Sequence, residues 1–216
     1  MTFFSFSNLH RAARISLLGI CLSLGLLPAA QAQRPVDAKA TPDVFLGAVA
    51  NNMLDAVKAD PKALQGDTSH ITALVRQYAL PYVDMNKTTR LAAGRHWRQA
   101  SEQQQADLVK AFTGTLIRTY SGAFTRVTPS TTITLLPFRG DTQSNDAVVR
   151  TSVSQPNSPS IGVDYRLEQT DAGWKVYDLN VEGIWLIQNY RNQFAQEIGR
   201  SGIDGLIKAL NAKSGQ

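Results

Sequence analysis

Cysteine is almost absent: among 216 residues there is one, Cys21. A lone thiol excludes an intrachain disulfide framework and a thiolate metal site. Histidine is nearly as scarce, and His70 and His96 lie far apart with no partner at metal-ligand spacing, so no metal is expected. No Gly-rich phosphate loop occurs. Gly199-Arg200-Ser201-Gly202 lacks both the glycine spacing and the preceding strand of a nucleophile elbow. Nothing repeats at a fixed period, which removes solenoids and collagen-like arrays. Charge is sparse too, at 18% of residues against 43% hydrophobic, a balance that excludes a disordered polyelectrolyte. The length suits one ordinary core or two small domains.

What is present begins with an address. His10, Arg11 and Arg14 precede a largely apolar run from Ile15 to Leu27, followed by Pro28 and Ala30-Gln31-Ala32. The run is well short of the roughly 20 residues of a spanning helix, and small residues at Ala30 and Ala32 suit a signal peptidase. The layout predicts a cleaved secretory signal peptide over residues 1–32. A lipid anchor on Cys21 fits poorly, because Ile20 stands where a lipoprotein signal wants a small residue. Removing that segment takes away Arg11, Arg14 and no acid, so the formal charge of +5 falls by two. So mild a surplus, on an exported chain without thiols, gives no nucleic-acid signal.

A short leader over 33–40 is expected before a single domain over 41–212. Thr41-Pro42-Asp43 reads as cap, first-turn proline and first-turn acid, and Leu46, Val49, Met53 and Val57 recur at helical spacing until Asp60-Pro61. Ser69 precedes a second helix with Ile71, Leu74, Val75 and Tyr78. Asp84 to Leu91, with Gly94 beyond, makes a third. Ser101-Glu102-Gln103-Gln104 has the form of a capping box and opens a helix of more than twenty residues with a wide stripe from Leu108 to Phe124. From Ser130 the period becomes alternating. Strands are expected around Ile133, Val149 to Val153, Val163 to Leu167 and Trp174 to Val181, with connections short enough for a four-stranded antiparallel meander. Helix then returns with Ile187, Tyr190, Phe194 and Ile198, a break at Gly199 to Gly202, and a last short helix. This order indicates an α+β fold with helices packed on one face of an antiparallel sheet.

Catalytic constellations are few. Asp178 and Glu182 would stand about 13 Å apart on an extended strand, at ~3.3 Å per residue, too far for the ~5 to 9.5 Å of a glycosidase pair. They read instead as rim polar residues, or Glu182 as the cap of the next helix. A lone base among Asp164, Asp178 and Glu182, assisted by Tyr120, Tyr165 or Tyr177, would suffice for isomerase or dehydratase chemistry, so an enzyme stays open as an alternative. So does a module that docks another protein through an apolar face. Apolar surface is abundant on helices and strands alike, and periodicity does not separate a closed core from one that leaves a cavity.

Two stretches carry more than composition. Leu80-Pro81-Tyr82-Val83-Asp84 through Ala92-Ala93-Gly94-Arg95-His96-Trp97-Arg98-Gln99-Ala100-Ser101, and Trp174-Lys175-Val176-Tyr177-Asp178-Leu179-Asn180-Val181-Glu182-Gly183 into Asn189-Tyr190-Arg191-Asn192-Gln193-Phe194 and Gly202-Ile203-Asp204-Gly205-Leu206, resemble the MlaC family, also called toluene-tolerance auxiliary proteins. The likeness spans roughly Thr41 to Leu210. It implies a curved antiparallel sheet of about four strands wrapped by helices, related to the NTF2-like class. It further implies a non-enzymatic periplasmic carrier, without cofactor, that holds a phospholipid by its acyl chains. Its partners would be an outer-membrane lipoprotein complex (MlaA-like) and an inner-membrane ABC transporter with an MCE-domain subunit (MlaD-like), in the maintenance of outer-membrane lipid asymmetry. On that basis Phe112, Leu116, Tyr120, Val149, Val163, Tyr165, Tyr177, Leu179 and Ile187 are expected to line the lipid cavity. Trp185 departs from the small residue common in the family, and would narrow the cavity if it faced inward.

Overall fold

The structure, a computed structural model, describes residues 34–141 and 144–212. The expected signal peptide lies outside the described residues. The first helix, α1, runs Pro42–Ala59 and ends where Pro61 follows Asp60. Thr41 occupies its N-cap position, yet its side chain makes no capping hydrogen bond, so Pro42 and Asp43 alone supply the start signal read from the sequence. Asp60 instead caps the one-turn helix α2 (Pro61–Leu64), accepting from the Lys62 and Ala63 amides. The next helix, α3, spans Thr68–Tyr78, and its cap is Asp67 rather than Ser69. A carboxylate accepts from two amides at once, the Ser69 and His70 N–H groups, which one hydroxyl does less well.

A 3₁₀ turn at Leu80–Tyr82 leads to α4 (Met85–Ala93), capped by Asp84. Gly94 ends α4 with φ of 57°, a left-handed conformation that glycine tolerates, and a second 3₁₀ segment, Gly94–Gln99, follows. The capping box is present in full: Ser101 accepts from the Gln104 amide and the Gln104 side chain accepts from the Ser101 amide. It opens α5, Glu102–Phe124.

Strands β1 (Thr132–Leu135), β2 (Asp146–Ser154), β3 (Ile161–Thr170), β4 (Gly173–Val181) and β5 (Ile184–Trp185) form one antiparallel sheet in the order 1-2-3-4-5. The sequence shows four of the five; β5 is a two-residue return after Glu182-Gly183, which take φ of 50° and 88° as a two-residue hairpin with this twist requires. One irregularity shapes the sheet. Between Arg166 and Leu167 the register of β3 slips, so that Arg166 faces Asp178 while Leu167 faces Val176, leaving Tyr177 as the extra residue of a bulge. The last helix, α6 (Leu186–Ala212), breaks at Gly202, whose φ of 71° interrupts the helical run, in agreement with the break read from the glycines.

The fold is α+β. Among the described residues its core has three parts. Phe45, Leu46 and Val49 of α1 press on Val149, Leu167, Trp174 and Val176 of the sheet. Leu108 and Phe112 of α5 pack with Tyr190, Phe194 and Leu206 of α6. Met53, Val57, Ala63 and Ile71 join α1, α2 and α3. Residues 34–40 form neither helix nor strand and lie along the first cluster. Arg34 exchanges two hydrogen bonds with Asn52, and Trp174 donates its amide to Ala38 O and its indole N–H to Ala40 O.

Candidate lipid cavity

The principal packing partners of α5 are α3, α4 and α6 rather than a strand. Between this helix and the sheet, where the three core clusters meet, lies a cavity of about 230 Å³. Helix α1 contributes Leu46, Val49, Ala50 and Met53 to its wall; the turn before α4 contributes Ala79, Tyr82 and Val83; α4 itself adds Met85 and Thr88. Leu116 and Phe124 come from α5 and Leu186 from the start of α6. The sheet supplies Ile133, Tyr165, Val176, Tyr177, Asp178 and Leu179. Almost the whole wall is hydrocarbon. A larger cleft, about 430 Å³, lies between the two parts of α6, but Gln193, Gln196, Glu197 and Arg200 share its wall with Phe194 and Leu206. Apolar chains gain more from the smaller space, because every polar group in a hydrocarbon-filled wall must be paired at a cost.

Four of the nine residues expected at the cavity, Leu116, Tyr165, Tyr177 and Leu179, lie in its wall. The other five do not. Phe112 is fully buried on the far edge of the α5 stripe, its ring edge-to-face with Tyr190 and Phe194 at centroid distances of 4.8 Å. Tyr120 packs against the same cluster. Val149 sits beneath α1, and Ile187 is buried at the start of α6, where its amide meets Asp178. Val163 shares the inner face of the sheet with Tyr165 but stands beyond the wall. There the face continues outward: cross-strand neighbours Val153 and Ile161, Val163 and Val181, and Val181 and Ile184 carry it to an apolar apron, with Ile184 65% exposed. The α1 contribution was missed because a helical stripe tells which residues turn inward, not which space they meet. Trp185 is absent from the wall. Its ring stacks on the Arg166 guanidinium at 3.7 Å, so the feared narrowing does not occur.

Asp178 decides the electrostatics. Its side chain is fully buried, one oxygen accepts from the Leu179 and Ile187 amides at 3.0 Å each, and the other accepts from Arg166 at 3.1 Å. The expected cap of the last helix was Glu182; Asp178 does it instead, since Glu182 has turned away into the hairpin. Burial pushes the Asp178 carboxyl above its ordinary value, opposed by the Ile187 amide and the charge of Arg166. With three donors engaged, it is not the isolated carboxylate that the enzyme alternative requires at the cavity. Burial likewise raises the Tyr165 and Tyr177 phenols, so both stay neutral near neutral pH. At the rim, Lys87 lies 3.8 Å over the Tyr177 ring and pairs with Glu168, while the Thr88 hydroxyl donates to the Tyr177 carbonyl at 2.7 Å. These contacts fasten α4 to the sheet at one end of the cavity. Among the described residues no three His, Cys, Asp or Glu converge on a point that could hold a metal ion, and no helix is long and apolar enough to cross a membrane.

A family model described as MlaC protein matches residues 48–212. The chain belongs to the MlaC family. Among its relatives is the intermembrane phospholipid transport system binding protein MlaC of Haemophilus influenzae, 21% identical, the match covering 85% of this chain and 86% of that one. Another is the toluene tolerance protein ttg2D of Pseudomonas putida, 27% identical over 82% and 81% of the two chains. A solved structure of a phospholipid-binding protein from Ralstonia solanacearum, in complex with a phospholipid, superposes with a TM-score of 0.75 at 38% identity and covers 82% of this chain and 97% of that chain. The MlaC resemblance read from the sequence is thereby shown, and the open antiparallel sheet with its helices is the family's fold.

Proposed function

We propose that the protein is a periplasmic phospholipid carrier that shields acyl chains in the cavity between α5 and the sheet. The observation that carries this reading is the hydrocarbon wall of that cavity, in a chain whose relatives are named for phospholipid binding and transport. Two acyl chains hold about 30 methylenes at ~0.8 kcal/mol each, so exposing them to water costs on the order of 25 kcal/mol. Enclosure is therefore necessary between membranes. A bilayer shields tails about as well as a protein does, so loading is nearly balanced, and direction comes from partners: an outer-membrane lipoprotein complex and an inner-membrane ABC transporter with its MCE-domain subunit. A signal peptide over residues 1–32 would deliver the chain to that compartment.

At about 230 Å³ the cavity falls below the ~300–1,000 Å³ of pockets that hold drug-sized ligands. A diacyl lipid needs more. In this reading the walls part when tails enter, and the apron at Ile161, Val181 and Ile184 gives them further apolar cover. Leu116, Tyr165, Tyr177 and Leu179, with Leu46, Met53 and Leu186, touch the chains; no residue acts as a catalyst. The test is transfer of fluorescently labelled phospholipid from donor vesicles to the purified protein. A saturable signal supports the carrier, and none at any protein concentration refutes it.

A further inference from the structure

Between Asp84 and Glu102 the chain has Lys87, Arg90, Arg95 and Arg98 and no acid. Lys87 turns toward Glu168 and the Tyr177 ring. The other three are exposed, and none of the ion pairs among the described residues engages them. Arg95 and Arg98 are three apart in the 3₁₀ segment, where such residues point the same way. Arg191 of α6 joins them: its Nε and Nη2 donate to the Leu91 carbonyl at 3.1 and 2.9 Å, which places a fourth guanidinium at the end of α4 with its charge uncompensated.

We propose that this arginine ridge along α4 and the following 3₁₀ segment is a docking face for an anionic bilayer surface. The large exposed apolar residues lie on α1, the strands and their flanks, none on this ridge. Arginine at a protein hot spot works beside aromatic anchors in a desolvated pocket, and no large hydrophobic residue of this segment is exposed to supply one. Adsorption to anionic lipid needs only clustered cations, and guanidinium matches phosphate oxygens in a two-pronged fashion. The ridge shares α4 with Met85 and Thr88 of the cavity wall, so adsorption would hold the carrier beside its source of lipid. The inference does not depend on what the cavity holds.

The experiment is cosedimentation of the full chain with vesicles of equimolar phosphatidylglycerol and phosphatidylcholine, against phosphatidylcholine alone. Binding is expected to the anionic vesicles at low salt, to weaken steeply toward about 0.15 M salt, and to be absent with the neutral lipid. Combined Arg90→Glu, Arg95→Glu and Arg98→Glu should weaken partitioning about a hundredfold or more. The same number of reversals elsewhere, Lys62→Glu, Lys110→Glu and Arg139→Glu, should weaken it far less. Should the reversed ridge fail to fold, Arg95→Gln with Arg98→Gln is expected to lose about tenfold. Equal losses in ridge and control variants overturn the proposal, because net charge would then explain binding. Binding to polyglutamate but not to anionic vesicles also overturns it, and assigns the ridge to an acidic protein.

Discussion

Arg166 and Asp178 stand opposite one another across β3 and β4, and their side chains meet at 3.1 Å while Asp178 also holds the first turn of α6 through the Ile187 amide. One carboxylate thus ties two strands to the helix that closes the cavity. Asp178→Ala would leave three donors without their acceptor and should cost about 2–4 kcal/mol in urea unfolding. Arg166→Ala should cost about 1–3 kcal/mol, because it leaves the fully buried Asp178 carboxylate without its counter-charge while the Leu179 and Ile187 amides still donate to it. A loss below about 0.5 kcal/mol for Asp178→Ala would show that the junction is held by packing alone.

The acid side of the stability curve should divide by residue. Asp60 lies below its usual range chiefly through the Ala63 amide and then His70, and Asp67 chiefly through the Ser69 hydroxyl and the His70 amide. A carboxyl lowered in the folded state contributes stability that is fully present above its unfolded value and is lost as pH falls through the folded one. Asp178, raised by burial, has the opposite sign: its ionisation opposes folding, and that opposition is relieved as pH falls through its folded value. Asp60→Asn with Asp67→Asn should therefore lower the melting temperature near about pH 7 and scarcely change it near about pH 2. Equal shifts at both would contradict the assignment.

Filling the cavity should separate lipid uptake from stability. Ala50→Phe and Ala79→Phe add bulk at two points of the wall, and each should reduce lipid uptake severalfold while costing about 1–3 kcal/mol. Leu179→Asp should abolish uptake, since an unpaired charge cannot face hydrocarbon. Unchanged uptake in all three would place the lipid elsewhere.

Trp185 offers the complementary control. Its indole covers Arg166 and not the cavity, so Trp185→Ala should leave the acyl-chain profile of bound lipid unchanged and cost about 0.5–1 kcal/mol. A shift toward longer chains would mean that the ring gates the cavity after all.

The element order was legible in the sequence because each helix and strand carries its own period, and Ser101, Gly94 and Gly202 punctuate the chain by local chemistry. Asp67, two residues ahead of Ser69, caps α3 by accepting from the Ser69 and His70 amides and from the Ser69 hydroxyl, so Ser69 lies inside the first turn. Strand β5 was invisible, since two residues have no period and only the left-handed backbone at Glu182 and Gly183 creates them. The cavity was half legible. Leu116 and Phe112 lie on one apolar stripe and pack with one cluster, but Phe112 is closed in by Tyr190 and Phe194 of α6 while Leu116 also borders the cavity. Asp178 was read as a rim polar residue because what buries it is the first turn of α6, whose Ile187 amide it accepts from, and the alternation of β4 carries no mark of that cover.

The central claim is most directly tested by organic extraction and mass spectrometry of the protein purified without detergent from its native compartment. The account predicts phospholipid in near-stoichiometric amount. Lipid-free protein that also refuses to load from vesicles would contradict it.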